Sequence, residues 1–110
     1  MSGSEIQIFD RPVLQTTDFV GAQVVQVRYG LALALSLTNR GRHQLARVSG
    51  ENLGYRLVLA VNSEPVGARR IDGMIQDGVL FTFVEIDDSE LEELARKINR
   101  TINYAARRGK

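Results

Sequence analysis

The chain contains no cysteine. That excludes a disulfide framework, a thiol nucleophile, an iron–sulfur cluster and a thiolate zinc site. It does not exclude the cell envelope, because a domain with an adequate core needs no bridges there. Histidine occurs once, as His43 between Arg42 and Gln44. Local sequence gives it neither a nucleophile nor an orienting carboxylate, so it reads as a solvated surface side chain. Charge of one sign is scarce too: fourteen Lys+Arg against thirteen Asp+Glu leave a formal +1, far from the surplus of a dedicated nucleic-acid binder. No apolar run approaches the roughly 20 residues of a membrane-spanning helix; the longest, residues 31–37, is broken by Ser36. Met1-Ser2-Gly3-Ser4 is not a signal peptide.

Chemical motifs are equally sparse. The ten glycines include no G-x-G-x-x-G and no Gly-Lys-[Ser/Thr]. The basic stretch at residues 67–73 lacks the strand–turn–helix setting that aims N–H groups at an anion, and reads as turn chemistry. Glu85, Asp87, Asp88, Glu90, Glu92 and Glu93 cluster without the D-x-[DN]-x-[DN]-G loop that wraps calcium. Helix capping and the helix dipole account for them. No catalytic, cofactor-binding or metal-ligating residue is assigned, and the chain is expected not to be an enzyme.

What is present suits one soluble domain: 110 residues, 44% hydrophobic and 25% charged. Residues 5–9 alternate as a short strand; LALALSL (31–37) has helix propensity too, but the β-rich run 22–29 before it makes the pair read as a hairpin pivoting at Gly30. The small side of LALALSL is expected to face a helix. Thr38 offers an N-cap, and Gly41, Leu45 and Val48 form one narrow face of a helix over residues 38–49. Glycine there costs about 1 kcal/mol of helix propensity against alanine, which a close helix–sheet contact would explain. Residues 56–61 form a buried strand, 62–65 turn, 66–71 form a second strand, and 79–86 (VLFTFVEI) a third. Asp87 and Glu90 form a capping box. Leu91, Leu94, Ala95, Ile98 and Ile102 make the stripe of a final helix over 87–102, with Glu92–Arg96 and Glu93–Lys97 spaced for pairing. The expected fold is α+β, a mainly antiparallel sheet with two helices packed on one face. Residues 1–4 are a flexible tail or tag remnant, 5–104 the domain, and 105–110 a frayed basic end.

Phe81 and Phe83 carry two readings. As alternate strand residues they are expected in the core under the helices. On an open sheet they would instead resemble the aromatic strand of an RNA-recognition motif and stack bases, although Leu80 stands where that motif prefers glycine or alanine and no fourth strand follows.

Several positions fit a known family pattern. Pro12-Val13-Leu14, Asp18 and Ala22 are similar to "p-v-L-t-x-x-D-i-x-x-A", and Leu37-Thr38-x-x-Gly41-x-x-x-Leu45, closing at Ser49, to an "L-T-x-x-G" helix. Asn52-x-Gly54, Ala68, Ile71, Ile75 and Gly78 follow in register, and Leu94-Ala95 with Ile98-Asn99 matches "L-A-x-x-L-N". Over most of its length the chain resembles the head part of the large periplasmic domain of SecD, the accessory subunit of the bacterial protein-export translocase. It departs at Asn62-Ser63 (usually Asp-Gly), at Gly67-Ala68-Arg69 (usually Ser-Ala-Pro) and at Val84 (usually glycine). The membrane-spanning helices of that family lie outside the match, so a proton-coupled motor is not expected; a free-standing relative or an excised domain is.

The resemblance implies a non-enzymatic domain of the bacterial periplasm or envelope that binds protein or extended peptide in export or envelope maintenance. A small polar start such as Ser2-Gly3-Ser4 would suit a lipid-anchored or membrane-tethered chain, and a tag remnant equally. Val66, Arg69, Arg70 and Ile71 are the candidate peptide-binding residues, on a strand edge that could bond an extended main chain while the arginines favour acidic partners. The same arginines could simply keep that edge soluble. The rival expectations are RNA binding through Phe81 and Phe83 and a structural module of unknown function.

Overall fold

The computed structural model describes residues 3–8, 11–28, 30–84 and 86–108, without the side chains of the last three. Ser4–Ile8 (β1) and Arg11–Leu14 (β2) lead into a short 3-10 turn, Thr16–Asp18. The hairpin Phe19–Val27 (β3) and Gly30–Leu37 (β4) follows, then the helix Asn39–Glu51 (α1). Arg56–Val61 (β5), Glu64–Arg70 (β6) and Val79–Val84 (β7) precede the helix Asp88–Arg108 (α2). The seven strands form one sheet in the order β2-β1-β5-β6-β7-β4-β3, each pair antiparallel. The architecture is α+β, as the element order implied.

One face of the sheet is covered by both helices. Leu45 and Val48 of α1 and Leu91, Ala95, Ile98 and Ile102 of α2 share a core with Ile6, Ile8, Leu33, Leu35, Leu57, Leu59 and Leu80. Two expectations reverse here. Leu33 and Leu35, not the alanines between them, face the helices, while Ala34 lies opposite Phe81 on the other side. In β7 it is Leu80, Thr82 and Val84 that share the helix side; Phe81 and Phe83 look away, and Phe83 is 53% exposed. The pleat allows only one of the two sets in β7 to face the helices. Pairing decides which: Leu80 and Thr82 oppose Leu35 and Leu33.

Local chemistry sets the turns and ends. Thr38 caps α1, its hydroxyl accepting the Gly41 N–H at 3.1 Å. The helix runs past Ser49 to Glu51, where the Asn52 side chain donates to the Val48 carbonyl at 2.9 Å. The contact that requires Gly41 is with the 3-10 turn rather than the sheet: a Cβ would meet the Asp18 carbonyl oxygen at 2.7 Å. Gly30 opens β4 opposite Val27 instead of forming the pivot; Tyr29 and, at the expected end of the first strand, Phe9 lie outside the described residues. The β5–β6 connection is only Asn62-Ser63, both with positive φ (51° and 70°), the signature of the mirror-image turns that suit twisted hairpins.

The elements at both ends reach past residues 5–104. Ser4 is buried strand, its N–H bonded to Thr16 Oγ1 at 2.9 Å, and the Gly3 carbonyl accepts the Asn62 N–H at 3.2 Å. At the other end α2 continues through Arg108, because neither glycine nor proline interrupts it; Gly109 and Lys110 lie outside the described residues. The paired charges on α2 also differ from the expected set. Glu93 binds Arg96 at 2.9 Å and Arg100 at 3.5 Å. The Arg96 hydrogen bond and charge, with Arg100 adding to them, hold the exposed Glu93 carboxyl below its ordinary pKa.

Asn99 joins α2 to the sheet. Its Oδ1 accepts the Ala22 N–H and its Nδ2 donates to the Ala22 carbonyl, both at 2.8 Å. Ser49 does the same for the segment after β6: its hydroxyl donates to the Ala46 carbonyl at 3.2 Å and accepts the Ile75 N–H at 2.8 Å.

Two substitutions test this description by denaturation midpoint. Gly41→Ala should destabilise by about 1 kcal/mol or more, because the clash with backbone at Asp18 outweighs the gain in helix propensity; an unchanged or higher midpoint would show the contact is slack. Ser63→Gly should stabilise by about 0.5–1 kcal/mol by relieving positive φ on a residue with a Cβ; a loss would mean the serine side chain holds the turn.

Candidate functional site

β6 is not an edge. It lies between β5 and β7, and its pairing with β7 is confined to Gly67↔Val84 and Ala68↔Phe83. Gly67 permits that close approach, since a Cβ would come within 2.8 Å of the Phe83 carbonyl oxygen. Beyond Ala68 the two strands separate, and the segment between them inserts Ile71 and Ile75 into the core.

The four residues expected to bind peptide therefore part company. Val66 is the extra residue of a β-bulge, half-buried and packed against the core. Arg69 is half-buried and lines the cleft where the strands diverge, beside Met74, Asp77 and Phe81. Arg70 is exposed, 3.5 Å from the Asp72 carboxylate. Ile71 is 1% exposed, with its N–H bonded to the Tyr55 carbonyl and its carbonyl to the Gly54 N–H, both at 2.8 Å. The premise of a free strand edge at this place is corrected: β6 has neighbours on both sides, and Ile71 belongs to the interior.

What the fold does assemble is an apolar groove on the face opposite the helices. Val58, Ala68 and Phe83 stand side by side across β5, β6 and β7. With Pro65, Val66 and Ile86 they line about 590 Å³. Ile86, just beyond β7, is 39% exposed. The groove exists because a small residue, Ala68, separates two larger ones and because no helix covers this side. Sequence reasoning missed it by assigning Phe83 to the core. The alternation in VLFTFV signalled two faces but not which one the helices would take.

His43 is exposed on α1. Among the described residues Asp18 is the one buried carboxylate, and its Oδ2 accepts the Gln15 N–H at 3.0 Å, a bond that shapes the 3-10 turn. No group of three or more His, Asp or Glu able to hold a metal ion is found among the described residues. Among them, too, no helix is long and apolar enough to cross a membrane. The groove's chemistry is thus that of a non-polar surface bordered by backbone, with arginines at the far end of β6.

No protein-family model matches the chain, and no curated protein matches it in sequence. Solved structures of SecDF share its fold. One, of SecDF described as a membrane component that enhances protein export, is similar with a TM-score of 0.70 and 24% identity over 80% of this chain. Another, of SecDF in a super-membrane-facing form, has a TM-score of 0.72, again with 24% identity over 80% of this chain. The chain spans 40% of the first and 12% of the second. It has the fold of one part of SecDF.

Proposed function

We propose that this domain binds extended polypeptide non-covalently, without catalysis, in protein export or envelope maintenance on the periplasmic side of a bacterial membrane, to which a lipid or membrane tether would hold it. The observation that carries this reading is the open groove at Val58, Ala68, Phe83 and Ile86. The likeness in fold to a protein described as enhancing export supports the setting.

The energetics suit transient contact. Fully burying a phenylalanine contributes about 1.5–3 kcal/mol, so covering the exposed half of Phe83 contributes about 1 kcal/mol, and Ile86 less. Set against the cost of ordering a flexible chain, this gives weak binding that releases its client readily. Val66 stands at the side of the groove, and Arg69 and Arg70 continue β6 beyond it, where they favour acidic side chains in the bound segment; Ile71 supports them from the core.

Phe81 and Phe83 on one open face are the observation that favours single-stranded RNA instead. The cross-strand partners of these rings are Ala34 and Ala68. The cleft beside Phe81 holds Arg69 together with Asp77, short of the row of cations that tracks a nucleic-acid backbone. An NMR titration separates the readings. Unfolded polypeptide should shift the amides of Val58, Ala68, Phe83 and Ile86, and Phe83→Ala should weaken it several-fold with little loss of stability, since that ring is half outside. Single-stranded RNA should leave Phe81 and Phe83 unmoved. Shifts there with RNA alone, falling steeply with salt, would replace this proposal with the other.

A further inference from the structure

The true edges of the sheet are β2 and β3, and they are built in opposite ways. β2 has four residues, among them Arg11 and Pro12, both of which discourage another strand from pairing. β3 has nine residues, FVGAQVVQV, with neither a charge nor a proline.

Part of the β3 edge is already occupied. Asn99 meets the N–H and the carbonyl of Ala22 together. A carboxamide is chemically a peptide group, so Asn99 pairs with this edge as one residue of an added strand would. Ala22, Val24 and Gln26 lie opposite Leu35, Leu33 and Leu31 without a bulge between them. In an antiparallel ladder alternate residues turn their main-chain groups the same way. The groups of Val24 and Gln26 therefore point outward like those of Ala22. The hairpin agrees: Val27 and Gly30 close a two-residue loop, which directs the odd-numbered residues toward β4. No hydrogen bond from another described residue closes the outward row at Val24 or Gln26.

We propose that the segment of β3 from Val24 to Val27 is a second polypeptide site, where an extended, uncharged segment adds to the sheet edge beside Asn99. This rests on the polypeptide-binding reading above but uses main-chain bonds at a different surface. The two N–H and two carbonyl groups of Val24 and Gln26 are the complement of an extended backbone. Half-buried Val24, Val25 and Val27 offer apolar flanks on both faces to β-branched or aromatic side chains. Asn99 sets where the added strand stops, because Ala22 is taken. A second copy of this chain fits less well. Two paired β3 strands would lie about 4.8 Å apart, whereas helices pack at about 8–10 Å, and each α2 reaches over its own β3 edge through Asn99.

Amide hydrogen exchange tests this with a short synthetic peptide alternating valine and threonine. In the free protein Val24 and Gln26 should exchange faster than Val25 and Val27. Saturating peptide should slow Val24 and Gln26 about tenfold or more, leaving Val25 and Val27 little changed. Methylating the peptide's main-chain nitrogens on the pairing side should abolish the effect, while methylating the alternate nitrogens should not. Gln26→Pro removes an outward N–H without touching the ladder to β4 and should weaken the peptide about tenfold; if that variant misfolds, the methylated peptides still decide. Binding that leaves Val24 and Gln26 exchange unchanged, or tolerates methylation on both sides, overturns the proposal. Slowing that appears with rising protein concentration alone overturns it in favour of a second copy. Shifts at Val58 and Phe83 without slowing at Val24 and Gln26 would sink the edge site alone; silence at both surfaces would sink both readings.

Discussion

The carbonyl oxygen of Asp18 accepts the Thr38 N–H at 2.9 Å, and Gly41 lies so near it that a Cβ would come within 2.7 Å. The Thr38 hydroxyl completes the knot, accepting from Gly41 while lying 3.4 Å from the same carbonyl. Three elements meet there: the turn that enters β3, the end of β4 and the first turn of α1. Because Thr38 is also the N-cap, the bonds that start the helix direct it back over the sheet. With α1 held here and α2 held by Asn99, both helices lie on one face and the other stays open.

The same pattern recurs at each junction. Ala22 meets Asn99, Ser49 meets Ile75, Gly54 meets Ile71, and the Leu37 N–H meets the Gly78 carbonyl at 2.9 Å. About half of the positions that gave the chain its resemblance to SecD, among them Asp18, Ala22, Thr38, Ser49, Ile75 and Asn99, are partners in hydrogen bonds between elements. Others, such as Leu14, Leu45, Ala95 and Ile98, are core. The bonded ones satisfy main-chain groups that would otherwise be buried unpaired, at a cost of about 1–3 kcal/mol each. This is why the resemblance holds for the fold, and why it names no residue that acts on a partner.

The surfaces suited to partners lie where this framework stops. The groove is open because no helix covers Phe83 and Ile86, and β3 is open because Asn99 reaches only Ala22. One surface presents apolar side chains and the other main-chain groups. In the proposed reading the two together would hold an extended chain loosely, one through its side chains and the other through its backbone.

The sequence by itself determined several of the elements: the Thr38 cap, the face of Gly41, Leu45 and Val48, the stripe of α2 and the β5 strand are local consequences of spacing and capping chemistry and stand where periodicity put them, whereas β2, opening on Arg11-Pro12, carries no such local signal. It also set the α+β class, since two amphipathic stripes need one apolar sheet. It did not determine which side of a strand the helices would take, because alternation in LALALSL and VLFTFV marks two faces without ranking them. Nor could it show that β6 is interior and β3 an edge, because strand order depends on pairings between distant segments. Tertiary structure decided both, and with them the exposure of Phe83, the burial of Ile71 and the open row at Val24 and Gln26.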